Sequence, residues 1–431
     1  MILSLCDSTH LVPEKDLRLG CTNNYYVIVT HYYFLLLTNF KLKKKIFKKK
    51  EEKHRTAHDR MIGVMRFINA WAYVAGLQFT DDWKRNGRIA FAVLVNFITL
   101  LCGVYSVWYY FPTENTFLVT GVFAFNAVVW VKLIVVVLKH ERFMSVVQFI
   151  YKVFKSNTSG PRDRILSRVT KIINYHMAIN IFCFLAGYVF YSAFPLYDFI
   201  FNGKLTLVSP GIVPLIDWTN IRGYFITNGF NVCSGSYCLT VCIAVSSLFF
   251  AFVDAYDGMV SLIDNDFGTF NEMCEIKQCG MAYDAVFQNI IIQLMDLARF
   301  SHYMNDLYNI IATAQVAMSF LVVVVGLAAY VAFGFVSCIG AVIVFYTEML
   351  MYCFIGQILD NTNERVVAVI CNAKWYTYKV KYQKDMMVAL YIAQNMHPIR
   401  LANVCPLNFA TGLNITKNIY TLTMFMMEMF D

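Results

Sequence analysis

Charge is what this sequence has least of. Of its 431 residues, 15% are Asp, Glu, Lys or Arg and 58% are hydrophobic. A soluble domain carries about 25% charged and roughly 45–50% apolar residues. The deficit excludes an ordinary water-soluble domain around one core and makes lipid the expected solvent. The 13 cysteines include no CxxC pair and lie mostly inside apolar runs, where a free thiol packs as a small hydrophobe. Neither a zinc site nor a disulfide scaffold is expected. A Gly-rich phosphate loop and a catalytic constellation are also missing. His176 and His302 stand singly on apolar or amphipathic stretches, so neither an enzyme nor a cofactor is expected. The net charge of +8 could suggest nucleic acid. Its excess instead lies near the N-terminus and in loops beside apolar runs, as at a cytoplasmic membrane face, so no nucleic-acid partner is expected.

What the chain does have is long apolar runs. Residues 1–60 hold a short, interrupted apolar run and a lysine-rich block, and read as a disordered or gene-model extension ahead of a domain spanning 61–431. Residues 61–77 read as an amphipathic helix, with Met65, Ile68, Trp71, Ala72 and Ala75 at helical spacing. Spanning runs follow at about 89–111, 117–138, 172–194 and 224–253. Lys132 sits near the end of the second, where it can snorkel to the interface. The fourth exceeds the roughly 30 Å hydrocarbon layer. The acidic segment 254–306 has apolar residues at helical spacing (Ile290, Leu294, Leu297, Phe300, Met304, Leu307) and reads as soluble amphipathic helices. No charge occurs between Asp306 and Glu348, about twice the length of one span. That stretch should fold back near Gly334 or Gly340, giving spans at 310–333 and 335–355. A seventh, at 406–427, closes an all-α membrane protein of seven transmembrane helices.

Lysine and arginine concentrate in the N-terminal stretch and in the 2–3 and 6–7 loops, while the opposite face has only Lys204 and Arg222. The positive-inside rule places the N-terminus in the cytoplasm and, with seven spans, the C-terminus outside. The sequon Asn157-Thr158-Ser159 then faces the cytoplasm, and Asn414-Ile415-Thr416 lies within a span, so both should stay unglycosylated.

This is the reverse of a G-protein-coupled receptor, and neither a DRY box nor an NPxxY motif is present. The ending resembles the insect odorant receptor family. Tyr352-Cys353-Phe354-Ile355-Gly356-Gln357 is similar to its signature at the end of span six, and Trp375-Tyr376, followed by Lys384, to its next loop. His397-Pro398-Ile399-Arg400-Leu401 resembles its turn, Pro406-Leu407-Asn408 the start of its last span, and Lys417 with Tyr420-Thr421 its final segment. The chain departs from the family at Ala402-Asn403-Val404, which lacks the usual glycine, and at Leu422. The gustatory receptors of the same superfamily end in a motif with a Gln that is missing after Thr421-Leu422. A secondary transporter should show repeated halves, and none is visible.

The resemblance implies a ligand-tuned subunit in the plasma membrane of olfactory sensory neurons. With a shared co-receptor it would form a tetrameric, odorant-gated, non-selective cation channel. Cytoplasmic helices of the 4–5 and 6–7 loops would anchor the subunits, and span seven would line the pore. Small volatile organic ligands would bind among the outer halves of spans two, three, four and six, in an apolar cavity with a few polar groups. Candidates there are Phe123, Phe125 and Asn126; Phe184, Tyr188 and Tyr191; Phe230, Ser234 and Tyr237; and Ile339, Ile343 and Tyr346. Tyr188 and Tyr191 stand out because buried hydroxyls need partners. Phe425, Glu428 and Met429 share one stripe near the outer end of span seven and are the pore candidates, Glu428 because acids at a pore mouth concentrate cations. Glu348 and Lys417, costly against lipid, should face protein or water.

Overall fold

The computed structural model describes residues 56–79, 87–111, 113, 115–203, 205–209, 211–214, 216–275, 281–334, 337–396 and 398–430. The expected extension at 1–60 lies outside them apart from 56–60, of which 57–60 are helical. Helix α1 (Ala57–Val74) opens on a capping box: Thr56 Oγ1 accepts from the Asp59 amide, and the Asp59 carboxylate accepts from the Thr56 amide. The helix therefore starts before Met61. Its buried face is Ala57, Met61, Val64, Met65, Ile68 and Ala72.

In chain order there follow α2 (Gly87–Tyr110), α3 (Asn115–Leu138), α4 (His140–Ser156) and α5 (Gly160–Asn202). Next come α6 (Ile221–Glu275), α7 (Met281–Phe333) and α8 (Ser337–Asn372). A 3-10 turn (Trp375–Thr377), α9 (Val380–Gln394), a two-stranded hairpin of β1 (Arg400–Leu401) and β2 (Cys405–Pro406), and α10 (Phe409–Phe430) complete the described chain. The protein is an all-α membrane protein apart from this small hairpin.

Among the described residues, six helices are long and apolar enough to cross a membrane: α2, α3, α5, α6, α7 and α8. The seventh expected span corresponds to α10. Its 22 residues suffice in length, at about 1.5 Å per residue, but Asn414, Thr416, Lys417, Asn418, Thr421 and Thr423 keep it polar. The apolar window of α6 is entirely buried, so α6 is the central post around which the other helices pack. The uncharged stretch after Asp306 does fold back at Gly334, whose φ is +69°, a conformation glycine adopts without strain.

The acidic segment differs from expectation. It holds no separate soluble helices, because α6 and α7 run on through it. At 55 and 53 residues each is about 80 Å long, far beyond the hydrocarbon layer. Helices of that length extend past the hydrocarbon layer, so polarity can return without a break in the helix. An aromatic cluster holds these projecting ends together. Phe270 of α6 sits 4.5 Å from Tyr283 and 5.2 Å from Phe287 of α7, and 4.9 Å from Tyr378 after the 3-10 turn. Phe287 also meets Tyr382 of α9 at 4.6 Å. Asn271 accepts from the Tyr378 hydroxyl at 2.5 Å.

Lys132 does not snorkel. Its side chain is fully buried, and its Nζ donates to Glu348 Oε1 at 2.9 Å. Sequence spacing shows a lysine near a helix end; it cannot show an acid 216 residues away arriving opposite it.

Candidate ligand cavity

The closing motif is explained first by packing. The Tyr352 ring lies against Phe249, centroids 5.5 Å apart, and its hydroxyl is 3.1 Å from Ser246 Oγ. Cys353 faces α10. Gly356 meets the backbone just before α10: a Cβ there would lie 1.9 Å from the Leu407 carbonyl oxygen. Gln357 Oε1 accepts from the Phe409 amide at 3.2 Å, capping α10. The short motif is therefore the weld between α8 and α10. Trp375 and Tyr376 are exposed. Pro398 onward leads into the hairpin, while His397 lies outside the described residues.

Above this weld, α2, α3, α5, α6, α7, α8 and the segment preceding α6 line a cavity of about 150 Å³. Its walls are mostly apolar. Phe117, Leu118, Val122 and Phe125 come from α3, Phe184 from α5, Phe230 and Leu239 from α6, and Val344 and Phe345 from α8. Phe125 and Phe345 meet edge to face at 5.5 Å. Close approach of α5 to α8 depends on Gly187, where a Cβ would fall 1.8 Å from Val344 Cγ2.

The polar groups are few. Ser234 Oγ donates to Thr99 Oγ1 at 3.3 Å, and Asn126 Oδ1 accepts from Cys238 Sγ at 3.4 Å. One end of the cavity is covered by Val208, Ser209 and Gly211. Asn231 ties this cover down by donating to the carbonyls of Ser209 (2.9 Å) and Gly211 (3.0 Å), and Asn228 Oδ1 accepts from the Val208 amide at 2.8 Å. Ser106 of α2 accepts from the Ile212 amide at 2.8 Å.

Seven of the twelve candidate residues line this cavity: Phe125, Asn126, Phe184, Tyr188, Tyr191, Phe230 and Ser234. The Tyr188 hydroxyl is spent on α6, donating to the Val232 carbonyl at 3.0 Å, so its ring rather than its oxygen faces inward. The other five lie elsewhere. Phe123 packs against the backbone of Gly103. Tyr237 donates to the Ala75 carbonyl at 3.0 Å, at the end of α1. Ile343 is 57% exposed, and Ile339 does not reach the cavity. Tyr346 pairs with Thr416 of α10 at 3.4 Å. The lining face of α8 is Cys338, Ala341, Val344 and Phe345, nearly opposite the expected one. A helix apolar on every side gives no moment from which to choose a face.

Sequence reasoning also missed Thr99 and Cys102 of the first span, Val322 and Gly326 of α7, Asn231, and the cover. Asn231 carried a signal: an asparagine inside an apolar span must satisfy its amide somewhere. Of the pore candidates, Phe425 and Glu428 lie on the exposed side of α10, as does Lys417, and Met429's side chain lies outside the described residues. Glu348 is buried against Lys132.

The family model for the 7tm odorant receptors matches residues 112–420. The chain belongs to the odorant receptor family. The receptor is 23% identical over 322 residues to odorant receptor 83c of Drosophila melanogaster, covering 69% of this chain and 79% of that relative. Its fold matches the insect olfactory receptor OR5 from Machilis hrabei with a TM-score of 0.70 at 12% identity, covering 86% of this chain and 99% of the other. The same protein in complex with eugenol matches with a TM-score of 0.68 at 11% identity, over 85% and 99% of the two chains. The receptor is thus a multi-pass protein of the plasma membrane.

Proposed function

We propose that this odorant receptor is a ligand-tuned subunit that forms, with a shared co-receptor, an odorant-gated non-selective cation channel in olfactory sensory neurons. The observation that carries the reading is the cavity. It is lined by six apolar helices and a pinned cover, and it is apolar with a small number of polar groups, the composition suited to small volatile organic molecules. A relative of the same fold was solved with eugenol, a molecule of this class. The polar stripe of α10 fits a helix that meets water on one side, as a pore wall must. The projecting ends of α6, α7 and α9 supply helices that can meet neighbouring subunits outside the lipid. In this reading those ends and the N-terminus are cytoplasmic, and the C-terminus is extracellular.

The test is whole-cell recording from cells expressing the receptor with and without the co-receptor, across a panel of volatiles that includes eugenol. Odorant-evoked cation current that requires both chains is the expected result. Surface-exposed receptor that never yields such current with the co-receptor would overturn the reading.

A further inference from the structure

We infer that the buried ion pair Lys132–Glu348 is a register pin beneath the cavity. It fixes α8 against α3, so that a change in the cavity is passed to α10 as a displacement of α8 rather than dissipated in the packing. The gating part of this inference rests on the ligand-gated reading above; the register part does not.

Three observations support it. The first is the pair itself. The side chains are 0% and 4% exposed with Nζ and Oε1 2.9 Å apart, and Nζ lies 5.5 Å from the centroid of the Tyr352 ring. A charge inside a membrane span is costly, and a well-packed apolar pair of the same volume would hold helices together as well or better. Apolar packing is non-directional, however, and tolerates sliding of one helix along another. A single short ion pair does not, because an axial step of one residue, about 1.5 Å, would separate the charges with no water to take them.

The second observation is position. On α3, Lys132 follows the cavity residue Phe125 by two turns. On α8, Glu348 follows Phe345 by one turn. The ring contact of Phe125 with Phe345 therefore lies between cavity and pin, on the same two helices. The third is the output side. Between the cavity wall and the weld at Gly356, α8 runs without a break. Tyr346 touches Thr416 at 3.4 Å, and Cys353 faces Gly412, where a Cβ would sit 3.0 Å from its Sγ. One continuous helix carries the wall, the pin and the contacts with α10.

The register can be read without any ligand. Phe125→Cys with Phe345→Cys places one thiol on each helix where their rings now meet, and cross-linking of the two by a short thiol-reactive reagent reports the α3–α8 register. The variants are Lys132→Met, Glu348→Gln, the exchanged pair K132E/E348K and the apolar pair K132M/E348M, each alone and with F125C/F345C. Each single substitution leaves one buried charge without its counter-charge and should lower surface receptor several-fold. The exchanged pair should restore both surface level and cross-linking rate. The apolar pair should reach the surface yet cross-link at least about fivefold more slowly, with a matching shift in odorant EC50 when co-expressed with the co-receptor.

An apolar pair that cross-links at the parent rate would overturn the register pin. One that cross-links slowly but keeps the parent EC50 would overturn its coupling to gating. If the apolar pair does not reach the surface, the exchanged pair decides: recovered cross-linking supports the pin, and no recovery overturns it. Absence of odorant current from the unmodified receptor would count against the channel reading while leaving the cross-linking result intact.

Discussion

Ala402 and Asn403 both have positive φ, +49° and +61°, at the tip of the hairpin before α10. The tip is a tight turn closed by the Val404 amide donating to the Leu401 carbonyl at 2.9 Å, and it is docked on α7 through the Ala402 amide and Thr313 Oγ1 at 2.7 Å. Asn403 tolerates the left-handed region, while an alanine there costs about 1–2 kcal/mol. Ala402→Gly removes that cost and returns about 0.4–1 kcal/mol as extra freedom of the unfolded chain. The expected outcome is a receptor stabilised by about 0.5–1 kcal/mol, seen as a higher melting temperature in detergent. An unchanged or lower melting temperature would show that the turn relaxes its alanine at no cost. Ala341, on the cavity face of α8, allows the converse test. Ala341→Phe adds a ring to a space of about 150 Å³. It should abolish responses to all but the smallest volatiles while surface labelling stays normal. Retained responses to large ligands would place binding elsewhere.

At the scale of elements, the junction of α3 and α4 is fastened to α7 by one acid. Asp306 accepts from Lys139 Nζ at 2.8 Å and also pairs with Arg142. Burial pulls its carboxyl up, but the hydrogen bonds and charges of Lys139 and Arg142 outweigh it and hold the group below the usual carboxylate range. A carboxylate depressed in the folded state contributes stability above its ordinary pKa of about 4, and the contribution is lost as pH falls through the lowered value. Asp306→Asn should therefore lower the melting temperature at pH 7. The gap to the parent should begin to narrow below about pH 4 and close as pH falls through the lowered folded-state value. A gap that persists in acid would assign the loss to shape rather than charge. These elements were unequally legible in the sequence. The apolar runs stood out because lipid demands long uncharged stretches. Their true lengths did not: the acids of 254–306 read as the end of a span, although a helix needs no break to leave a membrane. Helix faces were hidden in α8, where Ile339 and Ile343 looked as suitable for the cavity as Ala341 and Val344. Lys132 looked like an end-of-span lysine because its partner is supplied by tertiary structure alone.

At the scale of the whole molecule, the bundle presents α10 on its outside, welded to α8 at Gly356 but with Lys417, Phe425 and Glu428 exposed. Against lipid that face would be expensive, since an ionised side chain near the bilayer centre costs at least about 2.5–3.5 kcal/mol. A face that is polar, exposed and attached to the cavity-bearing helix is best accommodated where copies of α10 meet around water. The proposed pore role of α10 accounts for such a face, and in that reading Glu428, three residues from Phe425 on the same stripe, would add negative charge near the outer mouth. Glu428→Gln removes that charge with almost no change of shape. Single-channel recordings with the co-receptor should show smaller inward cation conductance. The deficit should be largest at low ionic strength, where screening is weakest, and odorant EC50 should stay near the parent value because the cavity is untouched. Equal conductance at every ionic strength would place Glu428 away from the ion path. A shifted EC50 with normal conductance would instead make it part of the coupling between α8 and α10.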